Sequence, residues 1–179
     1  IQYIADVKLA AKAADKNIIV RAEKMIGDYI TENSIVFLVW DYDRDINELN
    51  LMKYVRIDNE RSKDDDIEFG LLKLTEVALR AISPGINDPN TAIFCINQLG
   101  WILSRIAIAN LENTYYYDDQ NKLRFILEDI SFAELLYKTF YQLRYYGNRD
   151  VSVAGALLNA LLIISEGSPQ NIKNKIWEF

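Results

Sequence analysis

Leu79-Arg-Ala-Ile-Ser-Pro-Gly-Ile-Asn-Asp-Pro-Asn-Thr-Ala92 separates two strongly apolar stretches of the chain. Upstream of it, Ile67, Leu71, Leu74, Ala78, Leu79 and Ile82 recur at helical spacing, so one helix runs from Asp66 into the turn. Pro84 ends that helix, because its ring disfavours an α conformation at Ser83. Downstream, Asp88 is a natural N-cap and Pro89 suits the first helical position, so a second helix runs to about Asn110. The stretch is a short polar turn in an apolar frame, and the chain beyond residue 62 reads as mainly helical.

Residues 1–62 read differently. Ile1 to Ala5 and Ile18 to Ala22 are strands, with a helix from Val7 to Asp15 between them that Asp6 can cap. Met25 to Ile30 is a turn with Gly27 at its tip, and Ser34 to Trp40 is an apolar strand. Asp45 to Lys53 is a short helix and Val55 to Asn59 a strand. After the second long helix, Tyr115 to Asp118 and Leu123 to Leu127 flank a polar turn and predict a β-hairpin placed over the helices. Phe132 to Tyr146 and Val151 to Ser165 are helices stopped by Gly147 and Gly167, and a last short helix follows Pro169. The expected fold is α+β: a small N-terminal α/β lobe over 1–62, then a mainly α-helical bundle over 63–179 with a hairpin near 115–127.

Composition narrows the function. The net charge is −6 and the pI about 4.8, so the chain as a whole repels phosphate backbones, and no nucleic-acid partner is expected. The tyrosines at 115–117 and 145–146 therefore do not read as a base-stacking platform. Tyr137, Phe140 and Tyr141, at i, i+3 and i+4, have core or subunit-interface spacing. There is no histidine, which removes His-based triads and His metal ligands. The single cysteine, Cys95, forms no intrachain disulfide and reads as a buried small hydrophobe. No run of about 20 uninterrupted apolar residues is present, so no segment is expected to span a bilayer. The chain begins at Ile1 and reads as a piece of a longer parent.

Polar residues concentrate in a few places. The turn gathers Ser83, Asn87, Asp88, Asn90 and Thr91 at a helix–helix junction. Free N–H groups at the start of the second helix would favour an anion or a carbonyl oxygen. The plainer role is that Asp88 caps the helix while Ser83 and Asn87 satisfy orphan backbone groups. Arg56 and Arg61 flank the acidic run Asp64-Asp65-Asp66 with Glu68, and pairing with Asp65, Asp66 or Glu68 would make a structural hinge. Neither that run nor the alternating Asp41, Asp43 and Asp45 has the glycine turn and terminal glutamate of a calcium loop. No metal and no cofactor are expected, and no phosphate loop or nucleophile elbow occurs.

With these residues in view, the chain resembles the bacterial predicted membrane proteins known as domain of unknown function 2254. The resemblance rests on Tyr3-Ile-Ala-Asp6, Gly27-Asp28-Tyr29, Asp66-Ile-Glu-Phe-Gly70, the long run Ala78 to Ala92, and Arg144-Tyr-Tyr-Gly147. Where the family pattern has Arg-Gln-Leu after Phe-Gly, this chain has Leu72-Lys73-Leu74. The resemblance implies a parent in the bacterial inner or plasma membrane, attached through N-terminal helices outside this chain, and it implies no established activity. The expectation is a non-enzymatic soluble domain, placed in the cytoplasm, acting in assembly, sensing or gating as a homo-oligomer. The alternatives are a membrane-tethered enzyme, such as a hydrolase, using Asp88 with Ser83 or Thr91 or a divalent cation on Asp65, Asp66 and Glu68, or a small-ligand module built on the Ser83–Thr91 turn.

Overall fold

The computed structural model describes residues 1–43, 45–61, 66–109 and 114–179. The chain forms two compact units, Ile1–Asp66 with Glu112–Ile130, and Ile67–Leu111 with Ser131–Phe179. The class is α+β, as expected, with small sheets in the first unit and helices in the second.

In the first unit, β1 (Tyr3–Ile4) pairs antiparallel with β4 (Val55–Arg56). The larger sheet has the order β3-β2-β6-β5, from β2 (Ile19–Ala22), β3 (Phe37–Trp40), β5 (Thr114–Tyr117) and β6 (Leu123–Leu127). Helix α1 (Asp6–Lys16) presents Leu9 and Ala13 to a core that includes Ile18, Val20, Ala22 and Phe125. Asp6 lies one residue inside the helix rather than at its cap, which is Ala5. Its carboxylate accepts the Val7 N–H at 2.7 Å and the Tyr116 hydroxyl. Burial, then that carboxylate, pushes the Tyr116 phenol well above its usual pKa. The helix expected over Asp45 to Lys53 is two 3-10 turns, Ile46–Leu49 and Leu51–Tyr54, because Asn50 between them takes a left-handed conformation at φ 46°.

The hairpin corrects the sequence reading. β6 adds in parallel to β2, with Val20 opposite Phe125, so the hairpin completes the sheet of the first unit rather than belonging to the helical one. The cause is burial of one apolar face, Val20 and Ala22 on β2 with Phe125 opposite Val20 on β6. A buried arginine fixes the register. Arg124 donates to Asp118 Oδ2 at 2.7 Å and Asn17 Oδ1 at 2.8 Å. Asp118 also accepts the Gln120 and Lys122 amides, each at 2.9 Å.

The Lys122 amide, most of all, outweighs burial and with Arg124 holds the Asp118 carboxyl below its usual pKa. A depressed native pKa contributes stability that is complete above the unfolded value near 3.8 and is lost as pH falls through the native value. The denaturation midpoints of the wild type and Asp118→Asn should therefore differ by a constant amount from about pH 7 to about pH 5. The gap should close as the pH drops below about 4. A gap unchanged down to about pH 2 would contradict this role.

The second unit contains α2 (Ile67–Ala81), α3 (Pro89–Ala109), α4 (Phe132–Gly147), α5 (Val151–Glu166) and α6 (Gln170–Glu178). Leu71 and Ala78 of α2, Ile96, Leu99 and Leu103 of α3, Phe140 and Leu143 of α4, and Ala160 and Ile164 of α5 are buried. Buried Thr75 and Thr139 return their hydroxyls to the carbonyls of Leu71 and Leu135, at 2.9 and 2.8 Å, so neither leaves an unpaired donor. Cys95 is free and buried, and burial raises its thiol pKa. Ser104 and Arg105 interrupt the apolar run of α3, yet the helix is long and apolar enough to cross a membrane by length and composition. Its inward residues pack against α5: a Cβ added at Gly100 would lie 2.8 Å from the Ala160 Cβ.

Candidate functional site

Ser83 and Asn87 build the turn between α2 and α3. The Ser83 hydroxyl donates to the Arg80 carbonyl at 2.7 Å, and the Ser83 carbonyl accepts the Ile86 and Asn87 amides at 3.0 and 2.9 Å. Asn87 takes a left-handed conformation at φ 51°, which asparagine tolerates better than branched residues. That twist lets the Asp88 N–H reach back to the Ala81 carbonyl at 2.8 Å. The turn is therefore locked to the end of α2 by its own backbone.

Asp88 then begins α3. Its Oδ1 accepts the Thr91 amide at 3.1 Å and its Oδ2 accepts the Thr91 hydroxyl at 2.5 Å. The Thr91 hydroxyl, then the Thr91 amide, hold the carboxyl below its usual pKa, with the Asn90 amide adding to them. A carboxylate so stabilised is a weak base near neutral pH, and it already fills the helix terminus that an external anion would use.

The turn opens onto a cleft of about 870 Å³. One wall comes from Leu79, Ile82, Ser83, Pro84, Asn87 and Pro89; the other comes from Tyr145, Tyr146 and the 147–150 segment. Asp88 is not part of the lining. The second wall is the junction of α4 and α5. Gly147 permits it, because a Cβ there would lie 2.6 Å from Val153 Cγ1. Asp150 caps α5 through the Ser152 and Val153 amides at 2.8 and 3.1 Å. Tyr145 and Tyr146 meet edge to face at 5.0 Å.

Both helix termini at this cleft are thus satisfied by their own aspartates. Several other polar groups are not. Among the described residues, the side chains of Asn87, Asn148 and Arg149 and the hydroxyls of Tyr145 and Tyr146 make no hydrogen bond or ion pair. The cleft therefore offers one guanidinium, two amides and two phenols beside an apolar floor.

The structure divides the residues singled out in the sequence. Ser83 and Asn87 line the cleft, while Asp88 and Thr91 bond to each other and Asn90 lies exposed in the first turn of α3. Arg56, Arg61 and Asp66 belong to the other unit. The Arg56 guanidinium lies over the Tyr3 ring at 5.5 Å. Arg61 grips Asp66 with two bonds of 2.6 and 2.7 Å. Glu68 accepts from Lys138 at 2.8 Å. Asp64 and Asp65 lie outside the described residues, and among those described no acidic cluster could hold a metal ion. Sequence reasoning missed Asn148 and Arg149. The available signal was Arg144-Tyr-Tyr-Gly147 next to them, whose Tyr145, Tyr146 and Gly147 line the cleft.

Fold and cleft define an α+β protein whose helical unit carries a small polar-rimmed cleft built from two of the stretches on which the resemblance rests. The chain belongs to the family described as predicted membrane protein (DUF2254), whose model matches residues 1–162. It is 32% identical over 152 residues to uncharacterized protein Mb1321c of Mycobacterium bovis. Uncharacterized proteins MT1328 and Rv1290c of Mycobacterium tuberculosis match at the same identity and length. In each case the match covers 79% of this chain and 28% of the relative, so the chain spans little more than a quarter of the curated relatives it matches. No solved structure matches it.

Proposed function

We propose that this chain is a non-catalytic sensing domain of a bacterial membrane protein, and that its cleft takes a small anionic ligand. The observation that carries the reading is the convergence of the Ser83–Pro89 turn and the Tyr145–Asp150 segment on one cleft with an unpaired guanidinium and four further unpaired polar groups. Such a mixture of apolar floor and a few convergent polar groups is what small-molecule sites present. Arg149 supplies a fork for a carboxylate or phosphate, and the tyrosines supply an apolar face with hydroxyl tips. The hydrolase alternative loses its base, since Asp88 is spent on Thr91 and the terminus of α3. The cytoplasmic placement belongs to the same proposal.

Thermal denaturation of the chain in the presence of inorganic phosphate, mono- and dicarboxylates and nucleotides tests it. At least one class should raise the midpoint in proportion to the logarithm of ligand excess. Arg149→Ala should abolish the shift while leaving the unliganded midpoint within about 1 °C, because surface substitutions change stability little. A panel with no such shift, or a shift that survives Arg149→Ala, would reject the reading.

A further inference from the structure

The exposed side of α3 is patterned independently of the cleft. Phe94, Trp101 and Ile108 are 63%, 58% and 59% exposed and recur every seven residues. Seven residues are almost two helical turns, so the three form a nearly straight stripe of about 21 Å. Polar residues border it closely, Asn97 and Ser104 on one side and Gln98 and Arg105 on the other. Phe94, Asn97, Trp101, Ser104 and Ile108 thus follow the alternating three- and four-residue steps of a helix–helix seam.

We propose that this stripe is a contact between two copies of the chain, with their α3 helices antiparallel about a two-fold axis at Trp101. Two observations favour a second copy. First, the stripe is narrow. A helix lying in a lipid surface has a broad apolar face and a basic polar face, whereas Arg105 is the only charged residue of α3.

Second, the stripe is self-complementary. Reversed onto itself it sets Phe94 against Ile108 of the second copy and places the two Trp101 side chains together at the centre, where interface hot spots concentrate. The two stripes with their borders bury on the order of 1,000 Å², at the lower edge of specific interfaces, so the isolated chain dimerises weakly.

Cysteine cross-linking of the full-length parent in its membranes tests this. Trp101→Cys should give a covalent dimer on mild oxidation, because the two thiols meet at the axis, while Cys95 is buried and silent. Lys73→Cys, on the exposed side of α2, should give none. Sedimentation of the isolated chain should show a concentration-dependent dimer that Trp101→Glu converts to monomer with an unchanged circular dichroism spectrum. A Trp101→Cys parent that stays monomeric while its thiol reacts with maleimide would overturn the proposal. So would Trp101-dependent binding of the monomeric chain to phosphatidylcholine–phosphatidylglycerol vesicles, which would make lipid the occupant.

Discussion

Arg61→Ala should lower the unfolding free energy by about 3–5 kcal/mol, the range for stripping one partner from a buried ion pair. The Asp66 side chain is 4% exposed and that of Arg61 27%. Removing the guanidinium takes two short hydrogen bonds from a nearly buried carboxylate. Asp66→Ala should cost less, since the Arg61 side chain is the nearer of the two to solvent. The double variant should cost less than the sum of the two, because the residues share one interaction. Gly27 extends the unit. It has φ 94°, its N–H donates to the Ile1 carbonyl at 2.8 Å, and a Cβ there would lie 2.6 Å from the Arg61 Cζ. Urea denaturation of the three variants checks the order. Equal costs for Arg61→Ala and Asp66→Ala, fully additive in the double variant, would show that the fork does not act as a unit.

Gly100→Ala should destabilise the helical unit by about 1–3 kcal/mol through overpacking. Helix propensity alone favours the change by about 1 kcal/mol. Packing wins because the new Cβ would meet the Ala160 Cβ at 2.8 Å and its Cα at 3.0 Å. Backbone cannot swing aside as a flexible side-chain tip does. Ala160→Gly in the same chain should recover most of the loss. Gly155→Ala provides the opposite sign on α5, since nothing lies within 4 Å of a Cβ there; it should stabilise by up to about 1 kcal/mol. Thermal midpoints of the three variants check the account, and a neutral Gly100→Ala would mean that α3 and α5 are free to separate.

Local chemistry made some elements legible and long-range pairing hid others. The seven-residue stretch from Ser83 to Pro89 announced its turn, and Asp88 its cap, because both act within a few residues of themselves. The hairpin strands were legible as strands, but their partner was not. Periodicity records that a strand has an inner face without recording which sheet supplies the neighbour, and β2 lies about a hundred residues upstream of β6. Arg124 carried no sequence signal, since its partners Asn17 and Asp118 are brought together only by that pairing. At the cleft the same limit applied. Ser83 and Asn87 stood out in an unusual turn, whereas Arg149 is an ordinary surface residue until α4 and α5 place it opposite that turn.

The most direct test of a ligand-taking cleft is hydrogen exchange of the chain with and without the small-molecule fraction of a bacterial extract. The account predicts added protection confined to the backbone of residues 79–89 and 145–153, and its loss in Arg149→Ala. Protection elsewhere with none in these two segments, or protection there that Arg149→Ala leaves intact, would contradict it.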